Sequence, residues 1–208
     1  MSEIAVSALP EQFRRVAVRA REANTRGNHE LVAELTSTIL AEFPGCLAVR
    51  KLQYEARFVH GSDGRSVGQR AKGILAGIRL RLSYRKSAAT GTSLQQADAM
   101  LAANPWSREG WRRLATVAAG AALRETAVFA WEALVKLAPE DRDAGLGLVR
   151  AWLDLDRYDE AVTAVEALLR RQPEDGEALA LLRRASIDQT VAKGKWDSGG
   201  SFREKLRD

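Results

Sequence analysis

Three prolines, Pro105, Pro139 and Pro173, stand at equal intervals of 34 positions, and no other feature constrains the fold of this chain so tightly. Between them the apolar residues recur every three or four positions, the spacing of helices rather than strands. From Arg108 to Pro139, Trp111 is followed by Leu114 and Ala118, then, after a break at Gly120, by Ala127, Trp131 and Leu134. Two short helices fit this interval, and the next interval, to Pro173, repeats the plan with Leu148, Trp152, Tyr158, Ala161, Val165 and Leu168. A period of this length is the mark of a repeat protein, in which one unit cannot bury its apolar face alone and must stack on a neighbour.

The residues Trp111, Leu114, Ala127, Trp131 and Pro139 match the pattern W-x2-L…A-x3-F…P, and Asp156 to Ala161 looks like the turn that joins its two helices. The chain therefore resembles the tetratricopeptide repeat. That resemblance implies an all-α fold, a right-handed α-solenoid of stacked antiparallel helix pairs, with first helices lining a concave surface and second helices forming the back. Small residues such as Ala127 and Ala161 suit close helix approach, and the bulkier Trp131 and Leu168 fill the gap to the next helix.

The rest of the chain fits less regularly. Residues 1–9 read as a flexible lead, and residues 10–195 as one helical-repeat domain with its best units at 74–105, 108–139 and 142–173. Pro10 opens a helix carrying Phe13, Val16, Ala17 and Ala20; a second follows the turn at Gly27 and Asn28 and stops at Pro44. Arg19 and Thr36 occupy places where the repeat is usually apolar. A third helix from Cys46 to Val59 carries Val49, Leu52 and Ala56, with Tyr54 and Phe58 as aromatic bulk. The interval from Pro44 to Pro105 falls seven positions short of two such units, so the repeat is irregular there. A long helix over 69–88, or two segments bent at Gly73 and Gly77, is expected to start the 74–105 unit. A capping helix over 176–193 turns Leu179, Leu182 and Ile187 inward, and 196–208 forms a C-terminal extension.

Composition narrows the function class. A hydrophobic share of 46% with 28% charged residues is a globular balance, which argues against disorder. The single Cys46 makes no internal disulfide and no metal-ligand spacing, and no stretch reaches the roughly 20 apolar residues needed to cross a bilayer. With no leader pattern at the N-terminus, the expectation is a cytoplasmic protein without membrane contact. His29, His60 and Cys46 are the catalytic raw material, but they lack oriented partners, and no phosphate loop or H-E-x-x-H pair is present. The expectation is a protein that is not an enzyme and needs no cofactor or metal.

Charge is uneven. Residues 1–91 hold 15 Lys and Arg against 8 Asp and Glu, whereas residues 92–208 hold 17 against 19. Arg65, Arg70, Lys72, Arg79, Arg81, Arg85 and Lys86 follow one another with no acid between them. A solvated helix face is the plain reading of such a run; the functional one is an acidic protein, a filament surface or nucleic-acid phosphates. Tyr84 is the segment's one aromatic, which speaks against single-stranded nucleic acid. On the concave side Arg112 and Thr116 turn to the groove, with Ile78 and Leu82 and then Leu146 and Arg150 at the corresponding places, and Arg21, Lys51, Arg85 and Arg184 along the same path. The candidate partner-binding residues are thus Arg79, Arg81, Arg85, Lys86, Arg112 and Arg150. They suit an acidic peptide, whose carboxylates arginine grips bidentately. Some members of the family grip an acidic C-terminal tail with a Lys and Asn clamp, but the Asn set is missing here. The expected function is an adaptor or scaffold for a protein partner, with self-association as a further option and a basic nucleic-acid binder as the alternative. Bacterial kinesin-light-chain-like repeat proteins, which accompany tubulin-like filaments, are similar in kind, because a basic solenoid suits an acidic filament.

Overall fold

Turn chemistry fixes the helix boundaries, and it repeats in register. The computed structural model describes residues 2–63 and 93–198, and side chains within 2–58 and 94–194. Helix α1 spans Glu11–Thr25, α2 His29–Glu42, α3 Leu47–Asp63, α4 Ser93–Ala103, α5 Arg108–Gly120, α6 Arg124–Leu137, α7 Arg142–Asp154, α8 Tyr158–Leu169 and α9 Gly176–Ser198. No strand occurs among the described residues.

Three of the helix pairs, α1–α2, α5–α6 and α7–α8, turn on one left-handed residue: Gly27 (φ 72°), Ala122 (φ 60°) and Asp156 (φ 57°). Each stands at the same distance, 17 positions, before a proline: Pro44, Pro139 and Pro173. The hydrogen bonds are the same each time. The left-handed residue donates its N–H to the carbonyl three back, Gly27 to Asn24, Ala122 to Ala119 and Asp156 to Leu153. The next residue donates to the carbonyl five back, Asn28 to Ala23, Leu123 to Ala118 and Arg157 to Trp152. This Schellman closure satisfies carbonyls that the helix end leaves open and folds the second helix back along the first. The break expected at Gly120 therefore falls at Ala122, and α5 runs through Gly120.

The prolines act at the other end of each pair. Ser107, Asp141 and Asp175, which follow Pro105, Pro139 and Pro173 at the second position, accept from the N–H of Gly110 (3.1 Å), Ala144 (3.0 Å) and Ala178 (3.2 Å). A side-chain oxygen thus caps each first helix, worth about 1 kcal/mol per cap. Pro10 and Pro44 are separated by the same interval as the later prolines, so the first pair obeys the same period.

The chain clusters into two compact units, Met1–Leu137 and Ala138–Asp208, within the span expected as one repeat domain. In both, helices pack on their neighbours along the chain, the pairing of an all-α helical-repeat solenoid. In the first, Leu9, Ala17, Ile39, Leu40, Cys46 and Val49 form a buried cluster, with Phe13 edge-on to Phe43 at 5.0 Å. Thr36 is buried at its family-apolar place because its hydroxyl donates to the Val32 carbonyl at 2.6 Å. In the second, Leu146, Val149, Leu153, Ala161, Val165, Ala178 and Ala185 fill the space between α7, α8 and α9. Gly145 takes the register position of Trp111, and a Cβ there would collide with Leu168, so its absence lets α8 close on the α7 backbone.

Several expectations shift on contact with the structure. The segment before α1 is packed rather than flexible: Leu9 is buried, Ile4 donates to the Gly45 carbonyl (3.1 Å), and the Glu3 carboxylate accepts from the N–H of Glu125 (3.2 Å) and Thr126 (2.6 Å). Glu3 thereby caps α6 from the far end of the unit's sequence, a favourable place for a negative charge. Ile187, expected inward, is 62% exposed, because the inner face of α9 is set by Ala178, Leu181, Leu182 and Ala185. That helix continues to Ser198, through the first residues expected as a C-terminal extension. The helix expected over 69–88 lies outside the described residues, and α4 supplies the second half of the 74–105 unit.

Because Ala122 holds a conformation that costs a residue with a Cβ, Ala122→Gly is expected to raise stability by about 0.5–1 kcal/mol, read as a higher urea midpoint at unchanged slope.

Candidate partner-binding surface

Of the expected binding residues, Arg112 and Arg150 are described, one in each unit. Arg79, Arg81, Arg85 and Lys86, with Ile78 and Leu82, lie outside the described residues. Arg112 is half-buried on α5, and its carbonyl accepts from the Thr116 hydroxyl at 2.9 Å. Arg150 stands on the exposed side of α7, where it forms an ion pair with Glu177 of α9. Leu146, expected beside it in the groove, is instead core, packed under α8 and α9. One turn of helix separates the two, and α9 covers the side on which Leu146 projects.

The two units treat their charges differently. In the second, cations meet acids of the same unit: Arg142 with Asp175 (2.6 Å) and Glu177 (3.0 Å), Arg150 with Glu177, Arg157 with Glu160, Arg184 with Asp188 (3.6 Å) and Lys193 with Asp159 (3.3 Å). Arg142 grips Asp175 with both Nε and Nη2, and Asp175 also accepts from the N–H of Glu177 and Ala178. These bonds, the arginine's first, pull the Asp175 carboxyl down to about 2. A shallow recess beside them is lined by Arg142, Gln172, Pro173, Glu174 and Asp175, but its arginine is already occupied. In the first unit α1 and its C-cap turn Arg14, Arg15, Arg19, Arg21 and Arg26 to solvent around Val18, which is 52% exposed. Of these arginines, Arg15 has an acid partner among the described residues, Glu11 of its own helix.

Sequence reading missed a polar cluster inside the first unit. On α3, Arg50, Gln53, Tyr54 and Arg57 recur at positions i, i+3, i+4 and i+7, so they share one face, and that face turns inward. Arg50, with no exposed surface, forms an ion pair with Asp98 of α4 and donates to the Pro44 carbonyl at 2.8 Å. Tyr54 donates its hydroxyl to the same carboxylate at 2.9 Å, and burial, then the Asp98 charge, push its pKa well above the ordinary value. Gln53 donates to Ser37 at 2.9 Å. The helical spacing was visible, but four polar side chains in a row of i, i+3 and i+4 read as a wet face until α4 supplies the acid.

Aromatic rings surround this cluster. Trp111 is fully buried, donates its indole N–H to the Pro105 carbonyl at 2.8 Å, and packs against Tyr54 (4.8 Å), Phe129 (5.6 Å) and Phe58 (6.1 Å). Phe58 in turn meets Trp106 edge-on at 5.2 Å, and Trp106 is 40% exposed. The Lys51 ammonium lies over the Phe129 ring at 5.7 Å. Among the described residues no group of histidines, cysteines and acids is placed to hold a metal, and no helix is long and apolar enough to cross a membrane.

Removing the acid strands a buried guanidinium, so Asp98→Ala is expected to destabilise the first unit by about 3 kcal/mol or more in urea titration. Replacing the pair together, Arg50→Met with Asp98→Leu, should restore most of that loss. The second unit has a pH signature. Asp175 is held below the ordinary carboxyl value of 3.8, so its contribution is complete above that value and is lost as pH falls through about 2. Thermal midpoints between pH 4 and pH 2 should therefore fall more steeply for the wild type than for Asp175→Asn.

Residues 124–185, from α6 into α9, match the family model of the tetratricopeptide repeat. No match to a curated protein was found. Among solved structures, a thermophilic TPR protein of Thermus thermophilus is 19% identical, with 89% of this chain and 85% of that one covered at a TM-score of 0.39. MamA protein is 12% identical, over 94% and 97%, at 0.40. Acl4, the assembly chaperone of RpL4, is 14% identical, over 89% and 85%, at 0.41. With TM-scores this low, the assignment rests on the sequence match and on turns and caps that recur at the interval of the prolines. Residues 124–185 carry the tetratricopeptide repeat.

Proposed function

We propose that the chain is a non-catalytic adaptor or scaffold that binds an acidic protein through its basic N-terminal half and the exposed side of its first-of-pair helices. The observation that carries this reading is the contrast in charge pairing. Arg142, Arg150, Arg157 and Arg184 of the second unit are engaged with acids of the same unit, though Arg170 and Arg183 are not, whereas Arg14, Arg19, Arg21 and Arg26 of the first face solvent without an acid partner among the described residues. Residues 64–92 add seven cations and no Asp or Glu. An electropositive half of this kind attracts an acidic partner and speeds its docking. A repeat protein offers such a partner the faces of successive helices at a regular spacing.

Within this reading Arg79, Arg81, Arg85 and Lys86 contribute the long-range attraction, Arg112 a contact from α5, and Arg150 a contact made by exchanging Glu177 for an acid of the partner. That exchange is cheap because an exposed ion pair contributes little to stability. An acidic cytoskeletal filament of tubulin-like type is one such partner, and the cytoplasm is where the two would meet.

The test is co-purification from the source cells with wild-type bait and with Arg79, Arg81 and Arg85 changed together to Glu. An acidic protein should come down with the wild type, fall away as salt rises, and be lost from the variant. Recovery of nucleic acid in its place would favour the basic repeat as a phosphate binder, and equal recovery on both baits would remove residues 79–85 from the interface.

A further inference from the structure

Residues 2–9 lie on the first unit as a strap that belongs to no helix pair. Three aliphatic side chains anchor it: Leu9 is buried with Ala17, Ile39, Leu40, Cys46 and Val49, and Ile4 and Val6 pack on the same cluster. At its far end the Glu3 carboxylate accepts from the N–H of Glu125 and Thr126, and Ile4 donates to the Gly45 carbonyl. Ala5, Ser7 and Ala8, between these anchors, are exposed. A Cβ on Gly45 would collide with the Ser2 carbonyl, so the missing side chain makes room for the strap.

The strap is held as a bound peptide is held. Among the described residues its backbone shares one backbone hydrogen bond with the rest of the unit, that of Ile4, while Ala8 to Ala5 and Leu9 to Val6 are local. The Thr126 hydroxyl, on the first turn that Glu3 caps, is fully buried without a hydrogen-bond partner among the described residues. The strap thus leaves that end of α6 incompletely satisfied. A segment attached by three side chains and a few polar contacts opens at lower cost than the helices beneath it.

We infer that residues 2–9 are the internal occupant of a peptide-docking groove, and that an extended segment of a partner takes their place when the strap lifts. The groove reads one acid and aliphatic residues one, three and six places after it, the pattern of Glu3, Ile4, Val6 and Leu9. Backbone N–H groups and the positive end of the helix meet the acid, with no basic side chain in the contact. Because the strap is tethered, it competes at an effective concentration of about millimolar order, so a segment enters only by outbinding it. This surface goes beyond the scaffold reading and does not use the basic face on which that reading rests.

Cys46, the single cysteine, is fully buried in the cluster that the strap covers, so its reaction with a thiol reagent reports the opening. In the full chain that rate should change little with urea below the unfolding transition, the mark of local opening. Glu3→Ala, which removes the cap from α6, and Gly45→Ala, which sets a Cβ against the strap backbone, should each raise it about tenfold or more. A fluorescein-labelled peptide of residues 2–9, followed by anisotropy, should bind the Glu3→Ala chain about tenfold more tightly than the wild type and slow its Cys46 reaction. With Gln in place of its Glu, the peptide should bind that chain about tenfold more weakly. The groove is overturned by a Cys46 rate that follows global unfolding in urea, or by a rate unchanged in either variant. It is equally overturned by a peptide that binds wild type and Glu3→Ala alike, leaves Cys46 unprotected, or is indifferent to Gln. Co-purification with the 79, 81 and 85 variant judges the scaffold reading separately.

Discussion

A helix of three or four turns has too little apolar surface to stand alone, and a single sharp closure at its end makes a stable pair of it. In this chain the closure is a left-handed residue placed at a fixed distance before a proline, at Gly27, Ala122 and Asp156. Everything else depends on it. It sets how soon the second helix returns, which residues of the two helices meet, and where the proline ends the pair. Where glycine is absent, the backbone still takes this conformation, because the two hydrogen bonds and the packing of the returning helix outweigh the cost of a Cβ there. The cap that follows each proline then fixes where the next first helix begins.

Given that frame, the two units solve burial in different ways. The second is conventional: an aliphatic core between three helices, with charges kept at the rim and paired to one another. The first buries a guanidinium, a phenol and an amide on one helix face and meets them with one carboxylate and a layer of aromatic rings. A buried ion pair contributes less to stability than an apolar core of the same size, but it makes the wrong packing of α3 expensive, since any displacement strands a charge. The N-terminal segment adds a second constraint of the same type by capping α6 with Glu3.

Charge connects fold to function. Ion pairs within the second unit engage Arg142, Arg150, Arg157 and Arg184, while the first unit carries its excess both on the outside of α1 and, through Arg57, at the edge of its interior. The two positions differ in what water does to them. At the surface, screening reduces arginines to a general attraction; beside Tyr54 and Asp98, burial works against the charge of Arg57.

The sequence alone determined the helical class, the repeat period and the family resemblance, because helix spacing, prolines and small residues act locally and each leaves its mark within a few positions of the chain. It also determined the basic excess of the first half, since net charge needs no geometry. Only tertiary structure decided that the polar row of α3 faces inward, that Leu146 is core and Ile187 is not, and that the segment before α1 is packed, with Glu3 against α6. Those outcomes depend on what lies opposite. Arg50 and Tyr54 are paired with Asp98, and Glu3 with Thr126, across long stretches of intervening chain. A helical period specifies which residues share a face but not which neighbour that face will meet.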